Sequence, residues 1–235
     1  MSLRTRDTVL RELMDDPDCD PARLAATLRR FDTVNRLIGG WGRVWERHLA
    51  PVLRGLDRPA RVLDVGSGGG DVIVRLADRA EREGLRVEWL GIDPDERALD
   101  VARERERSNV TFAATDAAAL RATGIRFDAV ISNHVLHHLS DADLAGFADD
   151  TAALTAGPVF HADIERGRLA YALYSAGITP LQHGTFLRTD GLRSIRRSHR
   201  ADELQAALGG DWQVVTPAPF RLLAIGRGHA GDRRG

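Results

Sequence analysis

Three observations predict an α/β protein built on a doubly wound, mostly parallel sheet. Short apolar runs alternate with amphipathic runs at helical spacing. A glycine-rich turn, Gly66-Ser67-Gly68-Gly69-Gly70, joins an apolar run to an amphipathic one in "RVLDVGSGGGDVIVRLADRA". The last two apolar runs, in "WQVVTPAPFRLLAIGRG", are separated only by a proline-containing turn, so they pair antiparallel. Alternation of this kind covers both faces of a parallel sheet with helices, because each parallel crossover needs a long connection.

The elements follow in order. The first segment, to about Leu56, reads as helical. In "DPARLAATLRRFDTVNRLI" Leu24, Leu28, Phe31, Val34 and Ile38 recur at three- and four-residue spacings. Asp20 suits an N-cap, Pro21 the first helical position, and Gly39-Gly40 the end. A second helix, "WGRVWERHLAPVL", is expected to break near Pro51. Then come strand "RVLDV", helix "GDVIVRLADRAERE", strand "RVEWLGID", helix "DERALDVARERER" and strands "NVTFAATD" and "FDAVISN". Helix "DADLAGFADDTAAL" and strand "PVFHADI" complete the rhythm, which residues 166–200 interrupt with scattered Gly, Arg and aromatics. "ADELQAALGG" is one more helix before the final strand pair, giving seven strands. The predicted organisation is a helical cap (1–56), a core (57–165), an inserted lid (166–200), the end of the core (201–228) and a flexible tail (229–235).

Composition narrows the function. The chain has 235 residues, 43% hydrophobic and 29% charged, which suits a folded globular domain. A net charge of −1 lacks the basic excess of a nucleic-acid binder. No Lys occurs, which excludes Schiff-base chemistry. The one cysteine, Cys19, cannot form an internal disulfide, as expected of a cytoplasmic protein. No apolar run approaches the roughly 20 residues of a membrane span, and the charged N-terminus has no signal-peptide core.

In a parallel sheet the ligand site lies at the carboxyl ends of the strands, so the glycine turn is the place to look. A phosphate loop needs Gly-Lys-Ser/Thr, and the lysine is missing. A dinucleotide loop, as in an NAD-linked oxidoreductase, needs Gly where Asp71 stands, and a carboxylate there opposes a pyrophosphate. What remains is Asp64, Gly66, Gly68 and Gly70 as D-x-G-x-G-x-G; without a ligand it is simply a tight turn.

This pattern resembles the class I S-adenosylmethionine methyltransferases, whose core is Rossmann-like. The likeness covers about Arg61 to Ile164, and "NHVLHHL" brings it near the small-molecule enzymes of ubiquinone and menaquinone biosynthesis. It implies S-adenosyl-L-methionine as cofactor, with S-adenosyl-L-homocysteine as product. The Gly66–Gly70 turn with Ser67 would take the amino-acid tail, with Asp64 toward its cationic end. Asp93, followed by Pro94, would accept from the ribose hydroxyls; Asp93 or Asp95 could equally just cap the next helix. Asp116, followed by Ala117, would hold the adenine amino group, and Asn133 and His134 would flank the methionine part. The Asn/Asp-Pro-Pro-aromatic signature of amino-methylating nucleic-acid enzymes is absent, so the expected acceptor is a small molecule, not nucleic acid.

A phenol or enol acceptor calls for a base near neutral pKa, which points to histidine. His134, His137 and His138 follow the fourth strand, and His161, near the end of the fifth, is expected to face the cleft. Each could instead pack or cap. His134, His138 and Asp141 also have ligand-like spacing, but no metal is assigned. Arg188 and Tyr171 in the lid are the expected acceptor contacts, Arg188 for an anionic group. The expected function is methyl transfer to oxygen or carbon of a small aromatic, phenolic or quinone-like metabolite. A non-catalytic cofactor-binding module is the alternative outside enzymes. The N-terminal helices leave room for a homodimer interface.

Overall fold

A computed structural model describes residues 3–229. The expected tail lies outside the described residues except for His229, whose N–H donates to the Ala152 carbonyl at 3.0 Å.

Seven strands form one sheet: β1 (Ala60–Val65), β2 (Val87–Asp93), β3 (Val110–Ala114), β4 (Ala129–Asn133), β5 (Pro158–Ile164), β6 (Gln213–Ala218) and β7 (Arg221–Arg227). Their order is β3-β2-β1-β4-β5-β7-β6. The first five are parallel, and β7 runs antiparallel between β5 and β6. The chain winds outward from β1 to β3 and then returns to β4. The ligand crevice of such a sheet therefore opens between β1 and β4.

The helices are α1 (Pro21–Ile38), α2 (Trp41–Val44), α3 (Ala50–Arg54), α4 (Asp71–Arg82), α5 (Glu96–Arg103), α6 (Ala117–Ala122), α7 (Asp141–Ala153), α8 (Arg168–Gly177), α9 (Leu187–Arg197) and α10 (Ala201–Leu208). Asp20 caps α1 by accepting from the N–H groups of Ala22 and Arg23. The largest core cluster joins Trp41, Trp45 and Leu49 to Ile73 and Leu76 of α4 and Trp89 of β2. This contact fixes the N-terminal helices on the sheet.

Four sequence expectations need correction. Residues 3–20 contain no helix; they form an irregular strap of bends and turns, so the helical cap begins at Pro21. Side chains of other elements satisfy the strap's backbone. Asp190 accepts from the N–H groups of Leu13 and Met14, and the Arg97 guanidinium donates to the carbonyls of Met14, Asp16 and Pro17. Pro51 does not end the second helix: a π-helical turn, Trp45–Leu49, leads from α2 straight into α3. Such a widened turn absorbs the irregularity a proline imposes. The short helix α6, between β3 and β4, was not anticipated. The lid is not irregular but consists of α8, a 3-10 turn at Thr179–Leu181, and α9.

Candidate functional site

A cavity of about 890 Å³ lies over the carboxyl ends of β1, β2, β4 and β5. Helices α1, α8 and α9 and strap residues Glu12, Met14 and Asp15 cover it.

Its floor is the glycine turn. Gly66, Gly68 and Gly70 have φ of 70°, 52° and 75°, the left-handed region that favours glycine. The N–H groups of Gly66 and Ser67 both donate to the Ile92 carbonyl, at 2.8 and 3.0 Å. Asp93 then buckles the turn. Its Oδ2 accepts from Gly68 N–H at 2.9 Å and its Oδ1 from Asp95 N–H at 2.9 Å. A Cβ on Gly66 would stand 2.5 Å from Val135 Cγ2, so the backbone must be bare there.

Three carboxyls converge beside this turn. Burial, then Asp71 and Asp93, push the Asp64 carboxyl well above the usual range. Burial raises Asp71 and Asp93 as well. Asp64 Oδ1, Ser67 Oγ and Asn35 Oδ1 are buried without a hydrogen-bond partner. Uncompensated acceptors and mutually repelling acids suit a ligand that brings a positive charge and N–H donors. S-adenosylmethionine, with its sulfonium and ammonium, fits; a pyrophosphate does not.

Of the cofactor contacts expected from sequence, Asp64, Gly66, Ser67, Gly68, Asp93, Pro94, Asn133 and His134 line the cavity. Gly70 does not. It caps α4, and a Cβ there would meet the Phe112 ring at 2.5 Å, so this glycine serves packing. Asp116 and Ala117 also fall outside. Asp116 is exposed and caps α6 by accepting from Ala119 N–H at 2.8 Å, and Ala117 is buried in the core beside β1 and β4. The Asn133 amide oxygen accepts from the Trp41 indole at 3.0 Å, which ties α2 to the cavity wall.

The histidines have four different environments. His134, at φ 64°, donates its backbone N–H to Ala162, and its Nε2 lies 2.6 Å from Arg221 Nη1. Arginine can only donate, so Nε2 accepts and the neutral ring carries its proton on Nδ1. Burial, then the Arg221 charge, hold His134 neutral.

His137 is the opposite case. Its Nδ1 stands 2.7 Å from Asp163 Oδ1, its backbone N–H donates to Asp163 Oδ2 at 2.8 Å, and its Nε2 is 3.2 Å from Glu12 Oε1. Burial opposes the charge, but Asp163 and Glu12 outweigh it and lift His137 to about 10. It is an imidazolium clamped between two carboxylates, which contradicts its expected role as a base. His138 has Nδ1 3.3 Å from Asp15 Oδ2 and lies on the Asp93 side of the cavity. Glu12, His137 and His138 bring ligand atoms within 4.8 Å of one another, a spacing a divalent cation can use. The set suggested by spacing does not converge, because Asp141 is exposed and pairs with Arg6.

His161 faces away from the cleft. It is fully buried on the α7 side of the sheet, 2.7 Å from Ser132 Oγ and 3.1 Å from Thr151 Oγ1, and stacks on Trp212. Burial pushes it down to about 3, so it packs as a neutral ring and cannot reach an acceptor. Two residues along the strand, Asp163 would share its face, yet its carboxylate bonds His137.

Both expected acceptor contacts are displaced. Arg188 is exposed and donates to Ser175 Oγ at 3.1 Å, outside the cavity. Tyr171 also lies outside, and Tyr174, one turn on, lines the cavity with its hydroxyl donating to the Leu187 carbonyl at 2.8 Å. Gly191 makes room for that ring, since a Cβ there would stand 2.2 Å from the Tyr174 hydroxyl. Sequence reasoning missed Glu12 and Arg221. Only Arg221 gave a signal, as a charge at the head of the apolar run 222–225.

Known proteins agree with this geometry. A family model described as a methyltransferase domain matches residues 62–157. The ubiquinone biosynthesis O-methyltransferase of Methylocella silvestris is 31% identical over 190 residues, covering 72% of this chain and 70% of that one. Its counterpart in Brucella anthropi is 30% identical over 151 residues, and the match spans 63% of this chain but only 57% of that relative. In structure, the plantazolicin methyltransferase BpumL, solved with a pentazolic desmethylPZN analog and S-adenosylhomocysteine, superposes with a TM-score of 0.60 at 12% identity over 92% of this chain and 97% of that one. The CurJ carbon methyltransferase gives 0.63 at 15% identity over 91% of this chain and 62% of that one. The cofactor that fits the carboxyl-lined turn is therefore S-adenosylmethionine, and the chain belongs to the class I S-adenosylmethionine-dependent methyltransferases.

Proposed function

We propose that the protein transfers a methyl group to an oxygen of a small, lipophilic phenol, enol or quinol. The observation that carries this reading is the shape of the cavity. It continues from the acidic glycine turn, past His134, into an apolar chamber walled by Ile164, Tyr174, Ile178, Leu187 and Phe220. Leu37, Ile38 and Leu173 at its edge are 73%, 48% and 55% exposed, and they suit an acceptor with an apolar tail. The O-methylating ubiquinone relatives favour oxygen over carbon.

The cofactor supplies an activated methyl on a cationic sulfur. The protein's residues then orient and dry the site. Asp93 fixes the glycine turn, and Asp64 balances positive charge when ionised. The chamber wall excludes water from a reaction between a cation and a nucleophile, which low polarity favours. His134 presents Nδ1–H, so it orients an acceptor oxygen rather than deprotonating it. The single cysteine fits a cytoplasmic setting, and no helix of the described residues is long and apolar enough to cross a membrane.

The test is calorimetric titration with S-adenosylhomocysteine, with NADH as control, followed by transfer of labelled methyl to a panel of alkylated phenols and quinols. Binding of S-adenosylhomocysteine alone and label on oxygen are expected. Binding without transfer to any hydroxyl acceptor would refute the reading of the acceptor.

A further inference from the structure

Arg221 is the one arginine among the residues lining the cavity. It opens β7 opposite Ile164 of β5 and is only 4% exposed. Its Nε donates to the Ile38 carbonyl at 2.7 Å, and its Nη1 to His134 Nε2 at 2.6 Å. Among the described residues, no carboxylate comes within 4.0 Å of its guanidinium, whereas the other buried arginines that line contacts nearby, Arg166 and Arg197, have Glu203 and Asp15. The ionisable groups around it are His134 after β4, Asp163 of β5 and Tyr174 of α8. Burial pushes it down to about 10, still charged at neutral pH.

A buried guanidinium is costly unless an anion completes it. The cavity is therefore polar in the electrostatic sense. Asp64, Asp71 and Asp93 converge at the glycine turn, while Arg221 stands beside His134 without a carboxylate partner. No histidine there keeps a free nitrogen to take a proton, since the Nε2 of His134 is occupied by Arg221 itself.

We propose that Arg221, with the Nδ1–H of His134 beside it, binds the ionised oxygen of the acceptor, so that this site selects acidic phenols and enols and takes them up as anions. The inference rests on the methyl-transfer reading above. The hydroxyl proton passes to water before the acceptor enters the cavity. The oxygen lone pair forms the new O–C bond as the S–C bond breaks, and the S–C electron pair stays on sulfur. The positive charge of the sulfonium and the negative charge of the oxygen cancel. Neutral alcohols and protonated amines are poor ligands, because neither completes Arg221.

The experiment measures KM and kcat for a graded series of ring-substituted phenols of rising acidity, with benzylamine as cationic control, in the wild type, Arg221→Gln and Arg221→Lys. In the wild type KM should fall as the phenol becomes more acidic. Arg221→Gln should raise KM for the acidic members about ten- to a hundredfold and flatten that trend, with S-adenosylhomocysteine affinity unchanged. If Arg221→Gln does not fold, Arg221→Lys should keep the trend at weaker affinity. Two results would overturn the proposal: a trend that survives Arg221→Gln, or is lost in a folded Arg221→Lys; and a loss of S-adenosylhomocysteine affinity in place of acceptor affinity. Absence of methyl transfer to every phenol while the wild type binds S-adenosylhomocysteine would instead refute the proposed function itself.

Discussion

Asp163 grips His137 twice: Oδ1 lies 2.7 Å from the ring Nδ1, and Oδ2 accepts the backbone N–H of the same residue at 2.8 Å. Burial works against the Asp163 charge, yet His137 holds it well below the usual carboxylate range. Through Glu12, whose Oε1 also accepts from Ser194 Oγ at 2.7 Å, this clamp joins β5, the turn after β4, the strap and α9. Glu12 and His137 line the cavity themselves. Asp163→Asn leaves the imidazolium with Glu12 alone and should cost about 3–5 kcal/mol of stability. Urea unfolding checks this, and a loss under about 1 kcal/mol would mean that the clamp is not charged.

His161 makes stability sensitive to acid. Its folded pKa of about 3 lies below its ordinary value of 6.5, so the fold binds the neutral ring. That contribution is complete above pH 6.5 and is lost as pH falls from there toward 3. Between pH 7 and pH 5 it amounts to about 2 kcal/mol at 1.36 kcal/mol per pH unit. His199, held down to about 4, and His134 act in the same direction. Urea midpoints at the two pH values should therefore separate more in the wild type than in His161→Gln. Equal separation would show that the ring is not the buried neutral group described.

The glycines should divide by function. Gly68 lines the cavity, and a Cβ on it has 3.8 Å to Leu28, whereas a Cβ on Gly70 would strike Phe112. Gly68→Ala should cost about 1–2 kcal/mol of backbone strain and reduce S-adenosylhomocysteine affinity. Gly70→Ala should lower the melting temperature further, with affinity falling only as the fold does. Calorimetry and thermal melts on both variants separate the two, and the reverse ranking would contradict the geometry.

Asp64 should make cofactor binding depend on charge. Its raised pKa means that it takes up the sulfonium ligand most favourably when it loses its proton. Affinity for S-adenosylmethionine should therefore rise with pH more steeply than affinity for S-adenosylhomocysteine, which lacks the sulfonium charge. Calorimetry in buffers of different ionisation enthalpy measures the released proton directly. Asp64→Asn should abolish the difference. Identical pH dependence for the two ligands would place the charge balance elsewhere.

Asp93 offers a further check. Both its oxygens already accept backbone N–H groups, and ribose hydroxyls would donate to its remaining lone pairs. Asp93→Ala should weaken S-adenosylhomocysteine binding about ten- to a hundredfold or more, with the fold retained. Unchanged affinity in titration would mean that the ribose is held by other groups.

Local patterns in the sequence determined the parallel sheet, the place of the glycine turn and the identity of Asp64 and Asp93 as its acids. Each depends on residues near one another in the chain: alternation of strand and helix, left-handed glycines, and a carboxylate at a strand end. The strap and the apolar part of the cavity were not legible that way. Residues 3–20 keep their path only because Asp190, Arg97 and Arg197, far away in sequence, satisfy their backbone. Only strand orientation decides that His161 faces α7 and not the cleft. Only the antiparallel pairing of β7 with β5 brings Arg221 to His134, 87 residues away in sequence, while Arg188 remains at the surface. Chain-local chemistry shows what kind of turn can hold the cofactor. Arg221, His134 and Asp163 come from separate elements, and their meeting is a property of the packed fold.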